Sequence, residues 1–531
     1  MRKIIISFLL LSSVFAADLN GQSRNGSQSR GVDLQKLKLD QFYEYLNAMY
    51  VDTLDNGKLV EQAIVKMLEE LDPHSSYSSA EEMKSISETF EGSFSGIGVE
   101  FDVLNDTLIV VNTVRGGPSE SVGVLPNDKI IKIDGTSSVG IARTEVPKKL
   151  RGPKGTRVEI EVLRKGMAEP LKFRITRDNI PIHTIDAAYE PEPGIGYIRV
   201  NRFAETTMTE FAEAYRSFGN IDALILDLRG NGGGLMDQAV RMSEFFLPAG
   251  SEIVSMEGRA TPTTSYTSRR NGTFLKGIVV ILIDSGSASG SEIVAGAIQD
   301  WDRGIIIGQP SFGKGLVQRQ IPLIDGSAVR ITTARYHTPT GRVIQRPYDY
   351  GKAEEYYLDH LKRAYDASYT DSLNAAAPVY RTLNSGREVL GGGGIFPDVY
   401  IPVDTTKNYS YWNRLVRAGV INQYINGYLE KERTELQKRY PDFESFARGY
   451  EITPEIVEGI AELGREQGIE YDKKAADESM PDMRVHIKAM VAQKLWNSTE
   501  YFKIINGRGD SVYEKALEAI KNWPEYGRML E

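Results

Sequence analysis

The stretch GIVVILIDSGSASGSEIVAGAIQDWDRGIIIG (277–308) decides the fold. It opens with an apolar run ending at Asp284 and turns through small residues. Ile293, Val294, Ala297, Ile298 and Trp301 then recur at helical spacing before a second apolar run, GIIIG (304–308). Strand, turn, helix and strand in succession predict an α/β layered core with strands buried on both faces. DALILDL (222–228), with a helical pattern over 235–246, predicts another such unit, and SAVRITTARY (327–336) alternates as a further strand.

Outward from this core the texture changes. Residues 89–178 hold short strands and glycine turns, among them FSGIGVEF (94–101), TLIVVNTV (107–114) and TRVEIEVLRKG (156–166), which predict one small β-rich domain. Upstream, Leu34, Leu37, Phe42, Tyr45, Leu46 and Met49 recur at helical spacing, giving a helical region over 34–88. Residues 18–33 are rich in Ser, Gly, Asn and Gln and read as a flexible tether. The core spans 179–405, with a polar insertion at 349–387 that reads as a surface excursion, and 406–531 is helical and charged. The fold class expected is multidomain α+β.

Bulk properties narrow the function. A chain of 531 residues exceeds the usual single-domain limit of about 250–300. Its 63 Lys and Arg against 72 Asp and Glu leave a net charge of −9, which gives no support to nucleic acid as a partner. Arg2 and Lys3, the apolar run 4–15 and small Ala16 and Ala17 read as a signal peptide over 1–17, so export to the periplasm or beyond is expected. The run is shorter than the roughly 20 residues that span a bilayer. Cysteine is absent, which removes disulfides, a thiol nucleophile and thiolate metal sites.

Ser289 sits where strand turns into helix, close to unsatisfied N–H groups that can hold an oxyanion. The same pattern also fits a plain serine-capped turn. A serine nucleophile needs a base. Of the five histidines, His337, which follows the strand SAVRITTARY inside the core, is the only reasonable candidate, while Lys314, in PSFGKGLVQ (310–318), follows the strand GIIIG and is flanked by Gly313 and Gly315. A lysine base must be desolvated to lose its proton near neutral pH; an exposed loop lysine is the other reading. GNGGGL (230–235) lacks the Lys-Ser/Thr of a phosphate loop.

SASGSE (287–292) together with FGKGLVQ (312–318) resembles the signature of the carboxyl-terminal processing peptidases, or tail-specific proteases. LDPHSSY (71–77), GGPSESVGVLPNDKIIKIDG (116–135), LRGPKGT (150–156), DLRGNGGGL (227–235), YHTPTGRVIQ (336–345) and GIFPDVYIP (394–402) match further family marks in order. The resemblance implies a PDZ domain at 89–178 and a serine protease core without metal or organic cofactor. It implies Ser289 as nucleophile, Lys314 as base and Gln318 as its support, with Asp300 matching an acidic residue implicated in some members. N–H groups of Gly290 and of Gly232 or Gly233 would form the oxyanion hole. Gly96, Ile97, Gly98 and Val99 would capture a substrate's terminal carboxylate, and Arg151 would couple that event to the active site. Gly290 stands where the family commonly has alanine. Expected partners are peptides or proteins held by their C-termini, a second copy through the helical terminal regions, and an adaptor protein. The rival readings are a PDZ adaptor on an inactive core, a Ser289–His337–Asp300 hydrolase, and an acyl-coenzyme A enzyme, which leaves the PDZ-like region unexplained.

Overall fold

The computed structural model describes residues 26–531 apart from Asn105 and Arg115. The stretch read as a signal peptide lies outside the described residues. Helices α1 (Gly26–Met49) and α2 (Asn56–Glu69) make up most of an N-terminal compact unit ending at Met67. Helix α1 starts inside the stretch read as a tether.

The second unit begins at Leu68 with β1 (Ser76–Ser78) and α3 (Ala80–Glu91). Helix α3 opens on a capping box, Ser79 Oγ accepting from Glu82 N–H and Glu82 from Ser79 N–H. A small β domain follows: β2 (Ser93–Gly96), β3 (Val99–Leu104), β4 (Thr107–Thr113), α4 (Pro118–Ser121), β5 (Lys129–Ile133), β6 (Thr136–Ser137), α5 (Val146–Leu150), β7 (Arg157–Leu163), β8 (Leu171–Thr176) and β9 (Asp178–Pro181). Its antiparallel sheet runs β3-β4-β5-β7-β8, so β3 is an edge strand, while β2 and β9 pair where the chain enters and leaves. Leu108, Val110, Ile130, Val158, Ile160, Val162 and Ile175 fill its core.

The α/β core contains β10 (Ile185–Glu192), β11 (Ile195–Val200), α6 (Thr207–Ser217), β12 (Ala223–Asp227), α7 (Met236–Glu244), β13 (Glu252–Gly258), β14 (Thr261–Thr267), β15 (Ile278–Ile283), α8 (Gly290–Asp300), β16 (Ile305–Gly308), β17 (Leu316–Pro322) and β18 (Ala328–His337). The insertion supplies α9 (Ala353–Tyr365), α10 (Ala367–Ala375) and β19 (Val379–Arg381), after which β20 (Glu388–Leu390) and β21 (Val399–Tyr400) complete this part. The main sheet runs β10-β11-β12-β15-β16-β21, parallel from β11 onward. All of β12 and all but the first residue of β15 are buried, as two covered faces require. SAVRITTARY forms β18, but in a separate antiparallel sheet with β1, β13, β14 and β17. One face of the main sheet packs on α6, α7 and α8.

The other face is covered from the C-terminal region. That region comprises α11 (Ser410–Arg417), α12 (Val420–Arg439), α13 (Phe443–Gly449), α14 (Pro454–Glu466), α15 (Lys473–Leu495), α16 (Ser498–Asn506), α17 (Ser511–Lys521) and α18 (Trp523–Tyr526). Val512, Tyr513, Ala516, Ala519 and Ile520 of α17 pack on Ile225, Val280, Leu282, Ile305 and Ile307 of the sheet. Helix α12 meets the small β domain, with Asn426 donating to Asp102 (2.8 Å), Glu430 paired to Lys129 (2.8 Å) and Arg433 donating to the Val111 carbonyl (3.3 Å).

Candidate active site

The C-terminal end of β15 delivers the chain into a tight turn. Ser287 Oγ donates to the Leu228 carbonyl (2.9 Å), and Ala288 N–H donates to the Asn231 carbonyl (3.0 Å). Ser289 then takes φ +53° and ψ −108°, a conformation that only surrounding structure can hold in a non-glycine residue. Asn231 is fully buried and does much of that holding. Its carbonyl also accepts from Ser291 Oγ (2.8 Å), its side-chain oxygen accepts from Gly233 N–H (2.8 Å), and its amide donates to Val200 (3.0 Å). Gly233 has φ +98°, and a Cβ there would lie 2.7 Å from Ser289 Cβ and 2.8 Å from Gly290 N. Only glycine fits against the serine on both counts. The N–H groups of Gly290 and Gly232 donate to no group among the described residues, whereas that of Gly233 is already taken.

Lys314 comes from the loop between β16 and β17. Ser289, Lys314, Gln318, Gly232, Gly233, Leu235, Ile293 and Leu316 help line one cavity of about 570 Å³. Burial, and then the charge of Arg330, push the Lys314 pKa below its ordinary value, while Glu292 and Asp72 oppose the shift. Among the described residues no hydrogen bond joins Ser289 Oγ to Lys314 Nζ; their main chains, however, are locked together. Glu292, fully buried, accepts from Ser289 N–H (2.8 Å), Lys314 N–H (2.9 Å), Gly313 N–H (2.7 Å) and Ser311 Oγ (2.5 Å). Burial raises its carboxyl pKa even so. The Tyr336 hydroxyl lies 2.6 Å from the Lys314 carbonyl and 3.2 Å from the Ser289 carbonyl.

The insertion, expected at the surface, braces this loop. Tyr356 of α9 is buried, and Arg346 lies over its ring at 4.0 Å while donating to the Phe312 carbonyl (2.6 Å). Gln345 accepts from Gly315 N–H (2.9 Å) and donates to the Tyr356 hydroxyl (3.2 Å). His74 packs edge-on against Tyr356, with ring centres 5.4 Å apart. Burial, and next Lys314, lower its pKa to about 4, so it stays neutral beside the lysine.

Other expected residues fall elsewhere. The Gln318 amide donates to Thr332 Oγ1 (3.2 Å), which bonds Asp72 (3.1 Å), rather than to Lys314. Asp300 closes the far end of α8, about 15 Å along the helix from Ser289. There it is fully buried, paired with Arg342 (2.6 Å) and accepting from Thr340 N–H (3.0 Å) and Oγ1 (2.8 Å). Asp300, expected as an acidic residue of the site, therefore stands outside the cavity lining with its carboxylate engaged by Arg342. His337 meets the Gly341 carbonyl (3.2 Å) and Glu257 (3.5 Å) and does not line the cavity, so the Ser289–His337–Asp300 triad is not assembled. In the small domain Gly98 has φ +73°, and the N–H groups of Ile97 and Gly98 donate to no group among the described residues. Gly96 belongs to β2 and Val99 opens β3. Arg151 pairs with Glu88 of α3 (2.8 Å) and lies 4.1 Å above the Phe94 ring. Sequence reasoning missed Glu292, Asn231 and Tyr336, although Glu292 stands inside the quoted signature. Among the described residues no three His, Asp or Glu side chains converge as metal ligands.

Comparison with known proteins places these parts. Residues 95–175 match the PDZ domain, 194–350 match peptidase family S41, and 411–497 match a family of unknown function, DUF8443. A PDZ domain beside a family S41 core defines the chain as a serine-type peptidase. It is 38% identical over 354 residues to the carboxy-terminal-processing protease of Bartonella bacilliformis, covering 65% of this chain and 80% of that one. It is 35% identical over 347 residues to the carboxy-terminal processing protease CtpA of Bacillus subtilis, covering 65% and 74%. Among solved structures it resembles the photosystem II D1 C-terminal processing protease at 25% identity and a TM-score of 0.34, over 68% of this chain and 86% of that one. The chain belongs to the carboxy-terminal processing protease family.

Proposed function

We propose that the chain is an exported endopeptidase that takes substrates by their C-termini and cleaves upstream with a Ser289–Lys314 dyad. The observation that carries this reading is the cavity shared by Ser289 and Lys314, whose main chains both hang on Glu292. In the reaction, neutral Lys314 removes the Ser289 proton as Oγ attacks the scissile carbonyl. The oxyanion is received by Gly290 N–H and, because Gly233 N–H is engaged, by Gly232 N–H. Dyad closure requires Lys314 Nζ to come within hydrogen-bond reach of Ser289, and catalytic contacts often tighten only with substrate bound.

The free edge of β3 and the unengaged N–H groups at 97–98 support capture of a terminal carboxylate with the peptide added as a strand. Arg151 then acts through Glu88, because α3 also carries Phe90 into the cavity. Gln318 supports Lys314 once it leaves Thr332. The working divisions are a PDZ domain at 89–178, a protease core at 179–405 and a helical region at 406–531. Exposed Leu34, Leu37, Phe42 and Met49 on α1 support self-association.

Cleavage of casein or a C-terminally tagged peptide is compared between the parent and Ser289→Ala. Cleavage in the parent alone is expected; equal cleavage in both, or none in either, refutes the assignment. Export is checked by sequencing the mature N-terminus, which should begin just after Ala16 or Ala17.

A further inference from the structure

The cavity that holds Ser289 and Lys314 carries two cationic side chains, Lys314 and Arg330, and no Asp or Glu. Most of the remaining lining is apolar, including Phe90, Met236 and Tyr336. Arg330 is half-buried on β18, opposite Gln320 of β17 on one side and Ser76 of β1 on the other. Among the described residues no carboxylate lies within 4 Å of its guanidinium. Three other arginines of the core are paired, Arg342 with Asp300, Arg346 with Asp359 and Arg229 with Asp227 and Asp510, while Arg303 donates to the Phe246 and Phe274 carbonyls. A partly desolvated guanidinium without a counter-ion is costly, and here it stands beside an amine that must be neutral to work. Its fork of donors fits a carboxylate in two-point contact.

We infer that Arg330 binds a carboxylate of the peptide lying in the cleft, an inference that rests on the cleft being the peptide site. The carboxylate has two sources, an Asp or Glu side chain near the scissile bond or the new C-terminus left by cleavage. In either case the arginine sets which peptides, or which product, the cleft holds.

The test reads binding and needs no turnover. Fluorescent peptides with amidated C-termini, which lack the group the loop at 96–99 would hold, are titrated into full-length S289A and S289A/R330Q. They carry Glu or Gln at one position at a time, from three residues before to three after the bond that the parent enzyme cuts. A preference for Glu of about tenfold at one or more positions in S289A, falling to about one in S289A/R330Q, is expected for the side-chain source. For the terminal source, an acid-ended product outbinds its amide by a margin that shrinks about tenfold in S289A/R330Q, while the side-chain ratios stay near one. The comparison is of ratios, so a general weakening of the variant cancels, and PDZ binding is common to both proteins. Ratios identical in the two proteins at every position and at the terminus overturn the inference. Failure of the dyad reading shows separately, as parental hydrolysis that survives Ser289→Ala.

Discussion

At the scale of single residues the proposed dyad turns on one amine whose pKa is lowered by its surroundings. Lys314 is desolvated, Arg330 pushes its proton off, and Glu292 and Asp72 pull the other way. As the base acts only when neutral, kcat/KM should fall as pH drops through the Lys314 pKa, and that limb should lie below lysine's ordinary 10.5. Arg330→Gln removes a depressing charge, so the limb should move to higher pH; stopped assays from pH 6 to 10 measure it. Lys314→Arg, which cannot deprotonate, should lose at least about 10³-fold, like Lys314→Ala. A rise in rate insensitive to either lysine substitution would assign the base elsewhere. Glu292 supports a second prediction. Its two oxygens serve four donors, and an amide offers one oxygen and two unwanted hydrogens. Each stranded N–H costs about 1–3 kcal/mol, so Glu292→Gln should lower kcat by about 10²-fold with less effect on KM. A kcat within twofold of the parent would mean that the carboxylate does not hold the dyad in place.

At the scale of elements, α8 has two ends with different work. Its N-terminus presents Ser289, and its C-terminus is anchored by the buried Asp300–Arg342 pair. Breaking one partner of such a pair costs about 3–5 kcal/mol. Asp300→Asn should therefore shift the urea midpoint down while the folded fraction keeps a kcat within about twofold; a specific loss of kcat would restore a chemical role. The sequence made α8 and its flanking strands legible because β12, β15 and β16 are unbroken apolar runs. It made Ser289 and Lys314 legible as a motif pair. The antiparallel sheet was harder to see: β14, TPTTSYT, is polar and largely exposed, and β17 fades into exposed residues after Gln318. Asn231, Glu292 and Tyr336 act through convergence of distant segments, which no spacing encodes. The Asp300–Arg342 pair was hidden for the same reason, since Arg342 follows only after three more strands. The insertion hid its role because one buried tyrosine among exposed polar residues gives α9 a weak apolar stripe.

At the scale of the whole molecule, the C-terminal region is structural to the protease core rather than appended to it. A parallel sheet needs cover on both faces, and α17 supplies cover over Ile225, Val280, Leu282, Ile305 and Ile307. Arg229 fixes the approach, its Nη1 donating to both oxygens of Asp510 (2.9 and 2.8 Å) while its other nitrogens reach buried Asp227. The region also has a core of its own, around Leu415, Ile425, Leu429, Phe446 and Ile487, and touches the PDZ domain through α12. It therefore ties the two working domains together with a body that has a core of its own. A chain ending at Asp404 should be insoluble, because a sheet face of large aliphatic residues is left open to water. Co-expression of residues 406–531 as a separate chain should return it to the soluble fraction and restore peptide cleavage, with Asp510→Arg in the second chain blocking the rescue. Soluble, fully active protein from the truncated chain alone would show that the sheet face needs no cover and that the helical region serves another purpose.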